Sequence, residues 1–138
     1  MIEFENHEID FQLQQQESVQ HWLLLLVREA GQTLAQLNYV FMSDEALLAL
    51  NREYLDHDYY TDILTFPYHA PGDPILSDIY ISVDRVRDNA QELGISFEDE
   101  LHRVMVHGLL HLLGYDDHSD ADRAAMRRAE DQALAQRG

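Results

Sequence analysis

His107-Gly108-Leu109-Leu110-His111-Leu112-Leu113-Gly114-Tyr115-Asp116-Asp117-His118 decides how this chain is read. Two histidines four residues apart place both imidazoles on one face of a helix. Gly114 follows three residues after the second, where a helix can end. Beyond that turn the chain supplies Asp117 and His118, either of which can swing back toward the pair. Two imidazoles from one helical turn and one further ligand make a three-ligand metal site with an open position.

The helix around the pair supports that reading. With Glu100 at zero on a wheel of about 100° per residue, Arg103, Val104, His107 and His111 fall within roughly 60° of it. Leu101, Met105, Leu109, Leu112 and Leu113 lie on the opposite side. The leucines therefore face the core and the histidines a cleft. The spacing matches a metalloprotease pattern of His, Glu, two residues, His, two residues, Gly, two residues, His. In that register the third ligand falls on Asp117, whose carboxylate can replace an imidazole on zinc. His118, one residue late, is the alternative. The position after the first histidine is Gly108, where a peptidase carries its general-base glutamate. The pattern thus keeps a metal-assisted hydrolase and weakens a peptidase.

Outward from this stretch, the 138 residues predict one domain, 1–138, long enough to bury a core. No cysteine is present, so disulfides and thiolate zinc sites are excluded, and the eight histidines are the ligands to sort. The N-terminus has no signal-peptide pattern, and the longest apolar run, Trp22 to Val27, is far too short to span a bilayer. A cytoplasmic protein without membrane contact is the expectation. The net charge is −17, and all nine basic residues are arginine. Such a mean field disfavours nucleic acid, yet a local groove with arginines and a bound cation can still accept phosphate.

Periodicity predicts the remaining elements. Residues 2–14 alternate as one or two short strands, and 18–31 form an amphipathic helix stopped by Gly31. A buried strand follows over 36–42, then a helix to about Leu55 capped by Ser43 or Asp44. Strands over 62–66 and 75–83 flank the loop 69–74. Helices are expected over 84–93, 97–113 and from 119 or 120 to 135. The fold class is α+β: one domain with a roughly four-stranded sheet packed against helices, the zincin-like histidine helix central.

The run from His107 to Asp116 resembles the signature of the bacterial YbeY endoribonucleases, the rRNA maturation factors, which reads His-Gly-x-Leu-His-Leu-x-Gly-Tyr-Asp-His. Thr61-Asp62-Ile63-Leu64-Thr65-Phe66-Pro67, and Asp78-Ile79-Tyr80-Ile81-Ser82 before a helix, resemble the same family. The resemblance covers roughly residues 30–135. It implies a zinc-dependent, single-strand-specific endoribonuclease with one Zn²⁺, acting on rRNA precursor with the ribosome or its small subunit. His107, His111 and Asp117 (or His118) would hold the ion, with His107 in the catalytic centre.

Two positions depart from the family. Its third ligand is usually histidine, where this chain has Asp117. An arginine commonly follows the tyrosine equivalent to Tyr54, where this chain has Leu55. Arg52 on the same helix and Arg103 on the cleft face are the candidates to hold phosphate. Arg103 has the alternative of pairing with Glu100 or Asp99. Asp62 and Asp78 read as capping or turn residues. His57 and His69 sit in loops able to border the cleft, and His7 and His21 read as surface. Arg123, Arg127 and Arg128 read as a solvated face. A metallopeptidase and a non-catalytic ribosome-associated zinc module stand as the other functions.

Overall fold

A computed structural model describes residues 1–137. It contains strands β1 (Ile2–Asn6), β2 (Leu34–Met42), β3 (Ile63–Pro67) and β4 (Ile75–Ser82). The helices are α1 (Gln16–Glu29), α2 (Asp44–Leu55), α3 (Val83–Leu93), α4 (Phe97–Leu112) and α5 (Asp120–Ala135). The strands form one sheet in the order β1-β2-β4-β3. β2 runs parallel to both β1 and β4, while β3 pairs antiparallel with β4 and forms the edge. This is the α+β arrangement expected from the sequence.

Alternation along the strands assigns the two faces. Leu37, Tyr39 and Phe41 of β2 and Ile75, Ile79 and Ile81 of β4 join the main core with α1, α3, α4 and α5. Val40, Met42 and Leu64 point to the other face, where Leu47 of α2 covers them. Two side chains fasten helices to this frame. The buried Tyr39 hydroxyl donates to the Met105 carbonyl at 2.9 Å, and the Trp22 indole N–H donates to the Ala133 carbonyl at 2.8 Å. Both rings thus bury apolar area while their polar ends are satisfied.

The N-terminal reading needs correction. Only Ile2–Asn6 forms a strand, and residues 7–14 contain none. Glu8 takes a positive φ of 54° and turns the chain away from the ladder. Ile9, Phe11 and Leu13 still pack on the main core. Their alternation marks a segment folded over the core, since apolar spacing reports burial and not ladder pairing.

Candidate metal centre

α4 is built to hold its histidines still. Ser96 caps it, accepting from the Asp99 amide at 3.0 Å, and Glu98, Asp99 and Glu100 place acids in the first turn, where the helix dipole favours them. Leu101, Met105, Val106 and Leu109 bury the helix in the core. Gly108 lies where α4 meets the sheet: a Cβ there would stand 2.8 Å from Ile63 Cδ1 and 3.1 Å from Ile79 Cδ1. The peptidase glutamate position is therefore packed against strands β3 and β4, with no room for a side chain of that length.

The helix ends as the glycine requires. Gly114 has φ +111°, a conformation that strains other residues, and the Tyr115 amide donates back to the Leu110 carbonyl at 3.0 Å. The turn returns the chain so that Asp117 faces the pair. One donor atom from each of His107, His111 and Asp117 lies within 4.8 Å of the others, and all three residues are half-buried. His107 Nε2 is 3.7 Å from Asp117 Oδ2, and His111 Nε2 is 3.7 Å from Asp117 Oδ1. These gaps are too long for hydrogen bonds. Donors on one tetrahedral zinc ion stand roughly 3.3–3.6 Å apart. Two imidazole nitrogens, each 3.7 Å from one oxygen of the same carboxylate, thus suit a divalent cation with a small inward shift. His118 is exposed and stands outside the group. The Arg123 guanidinium donates to the Asp117 carbonyl at 3.2 Å and pairs with Asp120, tying this loop to α5.

The trio lies where two cavities meet. One, about 350 Å³, runs between α4 and α5 and is lined by Asp62, Glu100, Arg103, Arg123, Arg127 and Glu130 besides His107 and Asp117. The other, about 500 Å³, runs along β3 past Thr61, Thr65, Pro67 and His111. The first is densely charged. Glu130 is 6% exposed, and its two oxygens bind two partners: Oε2 meets His107 Nδ1 at 2.8 Å, and Oε1 accepts from Arg103 at 3.0 Å. Arg103 donates its other nitrogen to Asp131 at 2.8 Å. The Glu130 hydrogen bond holds the His107 imidazole above its ordinary pKa, against the pull of burial. Burial raises the Asp62 carboxyl, and the nearby His107 opposes it. Burial also raises Glu100, with Asp62 adding to the effect. The Asn89 amide donates to Asp62 at 3.3 Å, while Glu100 Oε1 is buried without a partner.

The remaining sequence candidates divide clearly. Arg103, a candidate for phosphate or for pairing with Glu100 or Asp99, borders the trio and pairs instead with Glu130 and Asp131. Arg52 pairs with Asp58 in the exposed loop after α2 and lines neither cavity. His57 and His69 also stand outside both cavities. His57 stacks on Tyr59, and His69 Nδ1 meets the Leu76 amide at 3.1 Å. Arg123 and Arg127, read as a solvated face, line the charged cavity. Glu130 escaped the sequence reading altogether. Its signal was available: Met126, Ala129, Glu130 and Ala133 are the buried residues of α5, a helical stripe with one acid on it.

A histidine pair facing a carboxylate beyond a glycine turn, set on a small mixed sheet, makes an α+β fold with a group that could hold a metal ion, as in metal-dependent hydrolases. The chain belongs to the YbeY endoribonuclease family: the family model described as Endoribonuclease YbeY matches residues 1–138. A relative of that name from Flavobacterium psychrophilum is 46% identical over 134 residues, covering 97% of this chain and 94% of its own. Another from Cytophaga hutchinsonii is 46% identical over 136 residues, covering 99% and 95%. A solution structure from Thermotoga maritima superimposes with a TM-score of 0.68 at 27% identity, over 97% of this chain and 87% of that one. No helix among the described residues is long and apolar enough to cross a membrane.

Proposed function

We propose that this chain is a metal-dependent, single-strand-specific endoribonuclease of the cytoplasm, one domain over 1–138, acting on rRNA precursor at the small ribosomal subunit in rRNA maturation and ribosome quality control. The relatives' shared name, Endoribonuclease YbeY, supports the reaction class. The observation that carries the assignment to a site is the convergence of His107, His111 and Asp117 within 4.8 Å at the junction of two cavities. These three residues would hold one Zn²⁺, which supplies Lewis acidity toward a phosphoryl oxygen and lowers the pKa of a bound water. His107 and Glu130 keep one imidazole nitrogen turned toward Asp117. The cavity along β3, lined by Thr61, Leu64, Thr65 and Pro67 beside the trio and Asp62, gives single-stranded backbone a path to the trio, and Arg127 adds a cation at the other cavity. With Gly108 packed on Ile63 and Ile79, a glutamate base at that position is sterically excluded, which disfavours peptidase chemistry.

The test is cleavage of matched single-stranded and duplex RNA by purified wild type and His111→Ala, with casein as a peptidase control. Cleavage of single strands by wild type alone is expected. Equal cleavage by His111→Ala would trace the activity to a contaminating nuclease, and casein cleavage without RNA cleavage would restore the peptidase.

A further inference from the structure

Glu130 lies thirteen residues beyond the trio's last member, on a helix whose exposed side is mostly charged. Burying a carboxylate is costly unless it is paired and its lone pairs are filled. Arg103 alone, at 3.0 Å, would supply the pairing. The second oxygen, however, is used on His107 Nδ1 at 2.8 Å, so one buried carboxylate joins a guanidinium to an imidazole of the trio. A carboxylate only accepts hydrogen bonds, so the proton of that contact sits on Nδ1. A neutral His107 then carries its lone pair on Nε2, the nitrogen 3.7 Å from Asp117 Oδ2. His111 has no such partner among the described residues; its Nε2 meets only Asp117, at 3.7 Å.

We infer that Glu130, held in place by Arg103, is a positioning residue of the metal centre that fixes the ring orientation and tautomer of His107. The inference rests on the proposed metal site. α5 thereby becomes a working wall of the centre, because its one buried acid orients a ligand presented by α4. Outer-sphere carboxylates of this kind typically account for 10–100-fold in metal affinity.

The experiment uses the full chain as wild type, Glu130→Gln and Glu130→Ala. Zn²⁺ affinity is measured by competition with a chromogenic chelator. Long-range ¹H–¹⁵N correlation of the imidazoles in metal-free protein, recorded at a pH high enough that the His107 ring is neutral, reads the tautomer. Thermal melts report folding. The wild type is expected to show His107 protonated on Nδ1. Glu130→Ala is expected to lose that state and to bind Zn²⁺ about 10–100-fold more weakly while still melting cooperatively. Glu130→Gln, whose carboxamide oxygen can still accept from Nδ1, is expected to keep the tautomer and lose less affinity. The inference is overturned if His107 carries its proton on Nε2 in the wild type, or if folded Glu130→Ala binds Zn²⁺ within twofold of it. Should Glu130→Ala fail to fold, the wild-type tautomer decides. A wild type that binds no Zn²⁺ would sink the metal assignment instead, and the tautomer would still judge Glu130.

Discussion

The two ends of the cleft are chemically opposite. Between α4 and α5, buried or half-buried Asp62, Glu100, Arg103 and Glu130 crowd a cavity of about 350 Å³. Along β3 the larger cavity, about 500 Å³, is lined mainly by Thr61, Leu64, Thr65, Pro67 and Leu112. Only His107, Asp117, Asp62 and Ile63 border both. At the charged end the groups are largely spent on one another, as in Arg103 with Glu130 and Asp131. That end orients the centre. The β3 end carries the carboxylates of Asp62 and Asp117 and no arginine, so in a chain of net charge −17 a polyanion entering there would need the cation that the trio is proposed to hold.

Substitutions can break this division, and the largest effect is expected at the junction. His111→Ala removes one of three proposed ligands. Bound metal measured by elemental analysis and single-strand RNA cleavage should both fall by at least about 100-fold, in line with a lost direct ligand against the 10–100-fold of an outer-sphere change. Next comes Gly108→Glu, which restores the peptidase pattern in sequence but drives a charge against Ile63 and Ile79. It should cost roughly 3–5 kcal/mol in urea unfolding, the scale of an uncompensated buried charge, without conferring casein cleavage. A stable, casein-cleaving variant would show that this position can open to the cleft.

Smaller effects should distinguish the two ends. Arg127 lines the charged cavity, and no ion pair engages it among the described residues. Arg127→Ala should weaken single-strand binding a few-fold and flatten the log–log salt dependence by about 0.7 for one lost phosphate contact. An unchanged salt slope would remove Arg127 from the RNA path. Smallest is the effect of Glu100→Gln on melting temperature. Burial raises the Glu100 carboxyl, so the folded chain holds that proton more tightly than the unfolded one. Its contribution is present at pH below the ordinary carboxylate range and is lost as pH rises through the raised value. Glu100→Gln should therefore melt above wild type at neutral pH, with the gap closing toward about pH 4. A gap independent of pH would mean that Glu100 is ionised alike in both states.

The sequence revealed the parts of the fold and site that are local. A four-residue spacing, a glycine stop and a register count depend on one helix and its turn, and they point to His107, His111 and Asp117, with His118 as the alternative. The sheet was legible because 36–42 is a largely buried apolar run and Ile75, Ile79 and Ile81 share one face of the next strand. Residues 7–14 misled because alternation there reports packing over the core without ladder bonds. Arg103 kept two alternatives because its partners lie 27 and 28 residues away. Glu130 was hidden for the same reason, although an acid on the Met126–Ala129–Ala133 stripe is a detectable anomaly. Asp62 looked like a turn residue until strand and helix packing brought it to the cleft.

The central claim is that Asp117, and not its neighbour His118, closes the cage with His107 and His111. Zn²⁺ stoichiometry and affinity in wild type, Asp117→Ala and His118→Ala test it directly. One ion per chain, retained in His118→Ala and lost or weakened at least about 100-fold in Asp117→Ala, is the predicted result. Metal retained in Asp117→Ala and lost in His118→Ala would contradict the account.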